Sequence, residues 1–103
     1  MIQISQGDII KITGFKNLFL VISKNTFIKS TNMFHVCPVL TGVNDGPVHI
    51  KVNLINSNKT ATAICEQVKL IDPAVRGIAA VDSVSYADKM EVSDTIQGLF
   101  EYD

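Results

Sequence analysis

A carboxylate within an aliphatic run is the most chemically suggestive feature of this sequence. Glu66 alternates with Ile64, Val68 and Leu70. In a regular strand these four side chains share one face, where burial would disfavour the charged carboxylate and raise its pKa. A raised pKa suits a general acid or base. A bulge at this point would instead turn Glu66 to solvent, and both alternatives stay open.

Other polar residues fall where they could assist such a carboxylate, although none forms a motif alone. His35 and His49 lie on successive predicted strands, where they either approach each other or are ordinary half-exposed residues. Thr41 places a hydroxyl at a strand end. Four lysines alternate out of their strands, either to meet phosphates or to form solvated faces: Lys11, Lys16, Lys51 and Lys69. No interleaving of aromatic and basic residues is evident along the chain.

Standard catalytic and metal-binding motifs are absent. The sequence contains no G-x-G-x-x-G, G-x-x-x-x-G-K-[ST], H-E-x-x-H or G-x-S-x-G. Cys37 and Cys65 lie 28 positions apart, which matches neither C-x-x-C nor a metal spacing. We therefore predict two buried thiols and neither a metal nor a cofactor.

The elements that position these residues are mostly strands. Short runs of β-branched residues are separated by Gly, Asn and Asp, as is typical of antiparallel sheets. The predicted strands are residues 8–13, 18–23, 34–41, 48–53, 60–71 and 77–81. Residues 24–32 are predicted to be irregular, and residues 42–46 to form a turn.

The last segment changes to a helical period. Val92, Ile96, Leu99 and Phe100 recur at helical spacing, and Ser85 begins a sequence that resembles a capping box. This pattern predicts a helix over about residues 86–100 that packs its apolar stripe onto the sheet and turns its acids to solvent. The fold class is therefore mainly β, a small, partly closed antiparallel barrel with one C-terminal helix.

Composition limits the class of protein. A chain of 103 residues, 47% hydrophobic and 18% charged, is a single domain over residues 1–103 and is not disordered. Its longest apolar run, Leu18–Ile22, is too short to cross a membrane, and no signal peptide is visible, so a cytoplasmic protein is expected. The net charge of −1 hides a split between +4 in residues 1–81 and −5 in residues 82–103.

One run carries a family resemblance. Cys65–Asp72, C-E-Q-V-K-L-I-D, resembles the C-D-Q-V-R-T-I-D strand of the MazF/PemK (Kid) toxin family. Three further segments follow in the family's order: residues 6–10 (QGDII) resemble R-G-D-I-W, residues 18–25 (LFLVISKN) resemble R-P-V-L-V-L-S-N-D, and residues 36–42 (VCPVLTG) resemble V-C-P-I-T-S. The resemblance spans nearly the whole chain.

The resemblance implies both a fold and an activity. The fold is an SH3-like, partly closed barrel shared with the CcdB gyrase poisons, usually as a homodimer. The activity is growth inhibition by metal-independent cleavage of single-stranded mRNA, and a small antitoxin protein neutralises it. Such cleavage uses the RNA 2′-hydroxyl as nucleophile, and it needs a base, a cation for the phosphorane and an acid for the leaving oxygen.

The resemblance also assigns roles to residues of this chain. Glu66 matches the family carboxylate and would be the general acid or base, and Gln67 matches the glutamine associated with RNA contact. The family arginine before proline falls on Asn17, or on Lys16 after a slip of one position. Lys16 would then stabilise the phosphorane. Lys11, Lys69, Gln67 and Asn17 form the predicted RNA-binding set.

Parts of the family pattern are missing. The family threonine falls on Leu40, and Thr41 beside it would position the phosphate. The basic residue that some members carry before the cysteine falls on Ile64. The long catalytic loop of the family is reduced to Thr13–Asn17.

Two functions are therefore predicted, together with a weaker third. One is a MazF/PemK-like endoribonuclease toxin with a reduced site. The alternative is a non-catalytic protein-binding barrel, acting as a CcdB-like poison, an antitoxin decoy or an inhibitor from a mobile element. A standalone nucleic-acid-binding barrel has less support, since most phenylalanines lie in apolar strand runs.

Overall fold

The fold combines a strongly curved sheet with two helices. The computed structural model describes residues 3–42 and 46–100, so the predicted turn at residues 42–46 falls mostly outside the described residues. The elements of the described chain are β1 Asp8–Ile12, β2 Leu18–Val21, α1 Asn25–Thr31, β3 Phe34–Leu40, β4 His49–Leu54, β5 Lys59–Ile64, β6 Lys69–Ile71, β7 Ile78–Ser83 and α2 Tyr86–Gly98. The predicted mainly β fold with a C-terminal helix is confirmed.

The sheet is antiparallel and runs in the order β4-β5-β3-β2-β1-β7, with β6 also paired to β3. β5 pairs one end of β3, at Val39 and Ala63, while β6 pairs the other end, at Val36 and Lys69. The prediction of one long strand over residues 60–71 is therefore wrong. The strand is interrupted because β5 also pairs along its whole length with β4, which bends the chain away from β3.

The two edges of the sheet meet and partly close the barrel. The N–H of Ile55, just after β4, donates to the carbonyl of Ser83 at the end of β7 over 2.9 Å. The buried carboxylate of Asp82 accepts from the N–H groups of Asn56 and Ser57 at 2.7 and 3.0 Å. A bulge between Ile9 and Ile10 in the β1–β7 pairing adds to the curvature.

Both faces of the central strands β2 and β3 are buried, which explains their continuous apolar runs. One face packs Ile9, Leu20 and Val52 under Val92 of α2. The other face packs Phe19 and Phe34, among others, under Ile28 of α1. Strands that are buried on both faces need no alternation of polar and apolar residues.

Helix α1 corrects the prediction that residues 24–32 are irregular. Its seven residues carry no helical periodicity, and Lys24 at the N-cap makes no side-chain capping bond. The helix depends on burial of Ile28 and on Asn32, whose left-handed backbone (φ 55°) returns an N–H bond to the Ile28 carbonyl. Tertiary packing therefore forms a helix where local propensity does not.

Helix α2 confirms the capping prediction but only part of the packing prediction. Ser85 Oγ accepts from the N–H of Asp88 at 3.1 Å, and Val92 is buried. Leu99 and Phe100 are 40% and 77% exposed, so their predicted packing onto the sheet is wrong, because the helix ends at Gly98. Within the described chain, no helix is long and apolar enough to cross a membrane.

Candidate functional site

Glu66 lies in the turn that separates β5 from β6. The strand ends at Ile64, whose carbonyl accepts from the N–H of Gln67 at 3.1 Å. The Glu66 side chain is 44% exposed. Its predicted burial on an aliphatic face is therefore wrong, and the alternative in which the chain turns it to solvent is confirmed.

A histidine from β4 contacts this carboxylate. His49 stands opposite Ile64 in the β4–β5 pairing, and its Nε2 lies 3.1 Å from Glu66 Oε2. Because an ionised carboxylate can only accept, Nε2 donates. Gly46 leaves room for the ring, since a Cβ there would lie 2.8 Å from His49 Nδ1.

The hydrogen bond from His49 holds the pKa of Glu66 below its ordinary value, and a bond to the Glu66 backbone adds to this effect. The predicted rise in the pKa of Glu66 is therefore wrong in direction. Burial, the cause on which that prediction depended, is slight at an exposed turn. The carboxylate is therefore ionised at neutral pH.

Two thiols lie beside this turn. Cys37 and Cys65 are both free and buried, as predicted. The hydrogen bond with Cys65, together with burial, raises the pKa of Cys37. Cys37 is therefore a neutral thiol in the core rather than a nucleophile.

Lys16 and Thr41 lie at a different part of the sheet from Glu66. Both fall just beyond the paired residues Leu18 and Val39, at one end of β2 and β3. Glu66 lies beside the middle of β3, between the pairings made by Ala63 and Lys69. The separation along β3 is on the order of 13 Å. No hydrogen bond or ion pair between described residues joins Glu66 to either of them.

The predicted RNA-binding residues are dispersed over the surface. Gln67 is exposed next to Glu66, and Asn17 is exposed before β2. Lys11 is exposed on β1, opposite Ala79 of β7. Lys69 lies on β6, with Nζ 6.0 Å from the centre of the Phe15 ring.

The Phe15 ring is shared by a second cation that the sequence analysis missed. The guanidinium carbon of Arg76 lies 5.0 Å from the ring centre, within cation–π range. We call Phe15, Lys69 and Arg76 the Phe15 platform. The three residues are far apart in sequence, and the topology brings them together, so no local pattern predicted this group. Arg76 is the single arginine of the chain, and this was the one sequence feature that could have marked it as a candidate binding residue.

The two histidines do not meet. β5 lies between β3 and β4 in the sheet, so the alternative in which His35 and His49 approach each other is wrong, and the alternative of half-exposed strand residues is confirmed. His35 contacts Ser23 instead, with 2.8 Å between Ser23 Oγ and His35 Nδ1. In residues 3–42 and 46–100, no group of three or more His, Cys, Asp or Glu side chains could hold a metal ion.

Comparison with known proteins defines the fold. Neither a protein-family model nor a curated protein sequence matches the chain. The chain is similar to a MazE–MazF complex of Deinococcus radiodurans (form I), with a TM-score of 0.78 and 15% identity over 92% of this chain and 93% of that chain. For form II of that complex the TM-score is 0.77, with 16% identity over 96% of each chain. MazF alone from the same organism gives a TM-score of 0.74 and 14% identity, over 92% of this chain and 94% of that chain.

The chain therefore belongs to the class of small, partly closed β-barrels with a C-terminal helix. Its particular fold is that of MazF, and the similarity covers nearly the full length of both chains. The resemblance in fold inferred from Cys65–Asp72 is confirmed.

Proposed function

We propose that this protein is the toxin of a type II toxin–antitoxin system and cleaves single-stranded mRNA without a metal. The observation that carries the proposal is the Glu66 carboxylate, exposed on a MazF-like barrel and 3.1 Å from the imidazole of His49. A paired carboxylate and imidazole can move protons at neutral pH.

The proposed chemistry starts at the RNA 2′-hydroxyl. Glu66 takes its proton, the 2′-oxygen attacks the adjacent phosphorus, and the P–O5′ bond breaks to leave a 2′,3′-cyclic phosphate. The departing 5′-oxygen takes a proton from water and becomes a free 5′-hydroxyl. The N–H of His49 keeps the carboxylate ionised and fixes its direction. Lys16 and Thr41, at the end of the sheet, would contact a neighbouring phosphate of the same strand, and Gln67 would contact a base beside Glu66.

The proposal includes partners and a compartment. Two of the similar structures are MazE–MazF complexes, which supports an antitoxin as partner of this chain. An acidic antitoxin would complement the net charge of +4 carried by residues 1–81. We further propose that the protein acts in the cytoplasm as a homodimer.

The test is expression in bacteria, with growth and RNA 5′-end profiles as readouts. Wild type should arrest growth and create new ends at one short sequence, whereas Glu66→Gln should do neither. Glu91→Gln, an exposed acid of α2, is the matched control and should behave as wild type. No arrest and no new ends, with wild type and Glu66→Gln indistinguishable, would exclude the proposal.

A second function is supported by the position of Lys16 and Thr41, which lie away from Glu66. A barrel without an assembled catalytic set would serve as a non-catalytic protein-binding module. Affinity purification separates the two functions. A stoichiometric protein partner without RNA supports the module, whereas RNA fragments that copurify count against it.

A further inference from the structure

The Phe15 platform is a rigid feature of the barrel. The ring of Phe15 meets buried Phe19 edge to face, with 5.5 Å between centres. The turn that carries it is closed by a bond from the Phe15 N–H to the Ile12 carbonyl. The cations of Lys69 and Arg76 lie 6.0 and 5.0 Å from the centre of this ring.

Arg76 is fixed by the close approach of its loop to β1. The N–H of Thr13 donates to the Gly77 carbonyl at 2.9 Å. A Cβ on Gly77 would lie 2.5 Å from Thr13 Oγ1, so a larger residue there would require the Thr13 hydroxyl to shift. Arg76, the residue before Gly77, therefore lies beside the β1–β2 turn, with its guanidinium carbon 5.0 Å from the centre of the Phe15 ring.

The two cations have no described acidic partner. Across residues 3–42 and 46–100 the only ion pair is His49 with Glu66. Asp72, the nearest acid in the Arg76 loop, accepts from the N–H of Ala74 at 2.9 Å instead. Like charges on one ring repel, and a bound anion would remove the repulsion.

We propose that Arg76 and Lys69 on the Phe15 ring bind a backbone phosphate of single-stranded RNA. An arginine fork fits two phosphate oxygens, and exposed Lys16 adds charge beside it. A shallow cavity of about 460 Å³, lined by Phe15, Gly77 and Ala79 among others, adjoins the ring and can take a nucleoside.

The platform is connected to the proposed catalytic pair by a short segment. Lys69 follows Glu66 by three residues, at most about 10 Å of chain. An RNA strand that lies along this segment contacts the platform and then the carboxylate. The inference therefore rests on the proposed function and assigns it a substrate-positioning site outside the reacting atoms.

The test measures binding separately from cleavage. A fluorescent single-stranded RNA with 2′-O-methyl groups throughout cannot be cut, and its anisotropy gives the affinity at several salt concentrations. Arg76→Gln should weaken binding by roughly tenfold and reduce the salt slope by about 0.7, because the protein then neutralises one phosphate fewer. Arg76→Lys should bind with intermediate affinity, because it keeps the charge without the fork.

The control removes the same charge elsewhere. Lys59→Gln, at the exposed start of β5, should change the affinity less than twofold. Equal effects of Lys59→Gln and Arg76→Gln would overturn the inference, as would tighter binding of an oligoglutamate peptide than of the RNA. Thermal unfolding confirms that each variant is folded.

The outcomes distinguish the two proposals. If Arg76→Gln binds RNA as wild type does while Glu66→Gln abolishes cleavage, the platform is excluded and the nuclease remains. If Arg76→Gln weakens RNA binding but wild type cuts no RNA, the platform remains and the nuclease is excluded.

Discussion

The contact with His49 favours the ionised form of the Glu66 carboxylate. The N–H of His49 stabilises the ionised form over 3.1 Å, and the exposed turn offers no burial to oppose it. Glu66 is therefore suited to accept a proton rather than to donate one at neutral pH. This assigns it the role of base in the proposed cleavage.

Removal of the histidine should raise the pKa of Glu66 towards its ordinary value. In His49→Gln an amide replaces the imidazole, and the main cause of the lowered pKa is removed. An NMR titration of the Glu66 carboxyl carbon in both proteins measures the change. The control Lys59→Gln should leave the pKa of Glu66 unchanged. An unchanged or lower pKa in His49→Gln would contradict the assigned cause.

The sequence located Glu66 but not its surroundings. Glu66 could be chosen as a candidate site residue because the C-E-Q-V-K run is distinctive. The apolar periodicity, however, predicted one continuous strand through Glu66 and not a turn. The turn at residues 65–66 depends on how β5 divides its pairing between β3 and β4, which no local pattern contains. For the same reason the contact with His49 and the platform at Arg76 could not be predicted.

At the scale of elements, Asp82 connects β7 to the β4–β5 turn. Its carboxylate accepts from the N–H groups of Asn56, Ser57 and Ser83 at 2.7, 3.0 and 2.8 Å. Asp88 of α2 similarly accepts from the Asn53 N–H at 2.9 Å. Asp82 of β7, and Asp88, which was predicted to face solvent, thus satisfy backbone donors along and just beyond β4.

Asp82→Asn should destabilise the fold by about 1–3 kcal/mol, because the amide leaves part-buried backbone N–H groups without an adequate acceptor. Urea unfolding at pH 7 measures the decrease in unfolding free energy. Asp94→Asn changes an exposed acid on α2, and its unfolding free energy should lie within about 0.5 kcal/mol of the wild-type value. A decrease for Asp82→Asn no larger than that of Asp94→Asn would contradict this role.

Ser85→Ala tests the start of α2. The hydroxyl accepts from the Asp88 N–H, and its removal should cost about 1 kcal/mol of unfolding free energy. Ser30→Ala, at an exposed position inside α1, is the control and should have little effect. Equal stability of Ser85→Ala and wild type would show that the cap is not needed.

Elements with a clear period were predictable and those formed by packing were not. β4 alternates and α2 carries a capping residue, so both were located from sequence. Helix α1 has neither signal, since it is stabilised by Ile28 in the core and by Asn32 at its end. Phe100 is exposed because α2 ends before it, whereas the periodicity alone predicts a helix that continues to residue 100.

At the scale of the whole molecule, the lowered pKa of Asp82 links stability to pH. Burial would raise this pKa, but the N–H groups of Asn56, Ser83 and Ser57 outweigh burial and lower it. A lowered folded pKa adds stability above the unfolded value of about 4, and this stability is lost as pH falls through the folded pKa.

The contribution of Asp82 to the unfolding free energy should therefore be nearly constant from pH 7 to about pH 5 and decrease below about pH 4. Asp82→Asn should show a smaller acid-induced decrease than wild type, because its amide does not titrate. Urea unfolding at each pH provides the measurement. Parallel curves for the two proteins would contradict the assignment to Asp82.

Charge is also distributed unevenly over the molecule. The net charge of −1 combines a basic barrel with an acidic C-terminal segment. Two acids of that segment, Asp82 and Asp88, are occupied by backbone donors. The overall charge therefore says little about the face that carries the Phe15 platform.

The most direct test of the proposed nuclease is cleavage of a mixed-sequence RNA by purified protein in EDTA, with the same sequence as DNA for comparison. Wild type should cut only the RNA and leave 2′,3′-cyclic phosphate ends. Glu66→Gln should be slower by about 10²-fold or more, and Glu91→Gln should match wild type. Absence of cleavage by wild type, or equal rates for wild type and Glu66→Gln, would contradict the proposed role of Glu66 as the base.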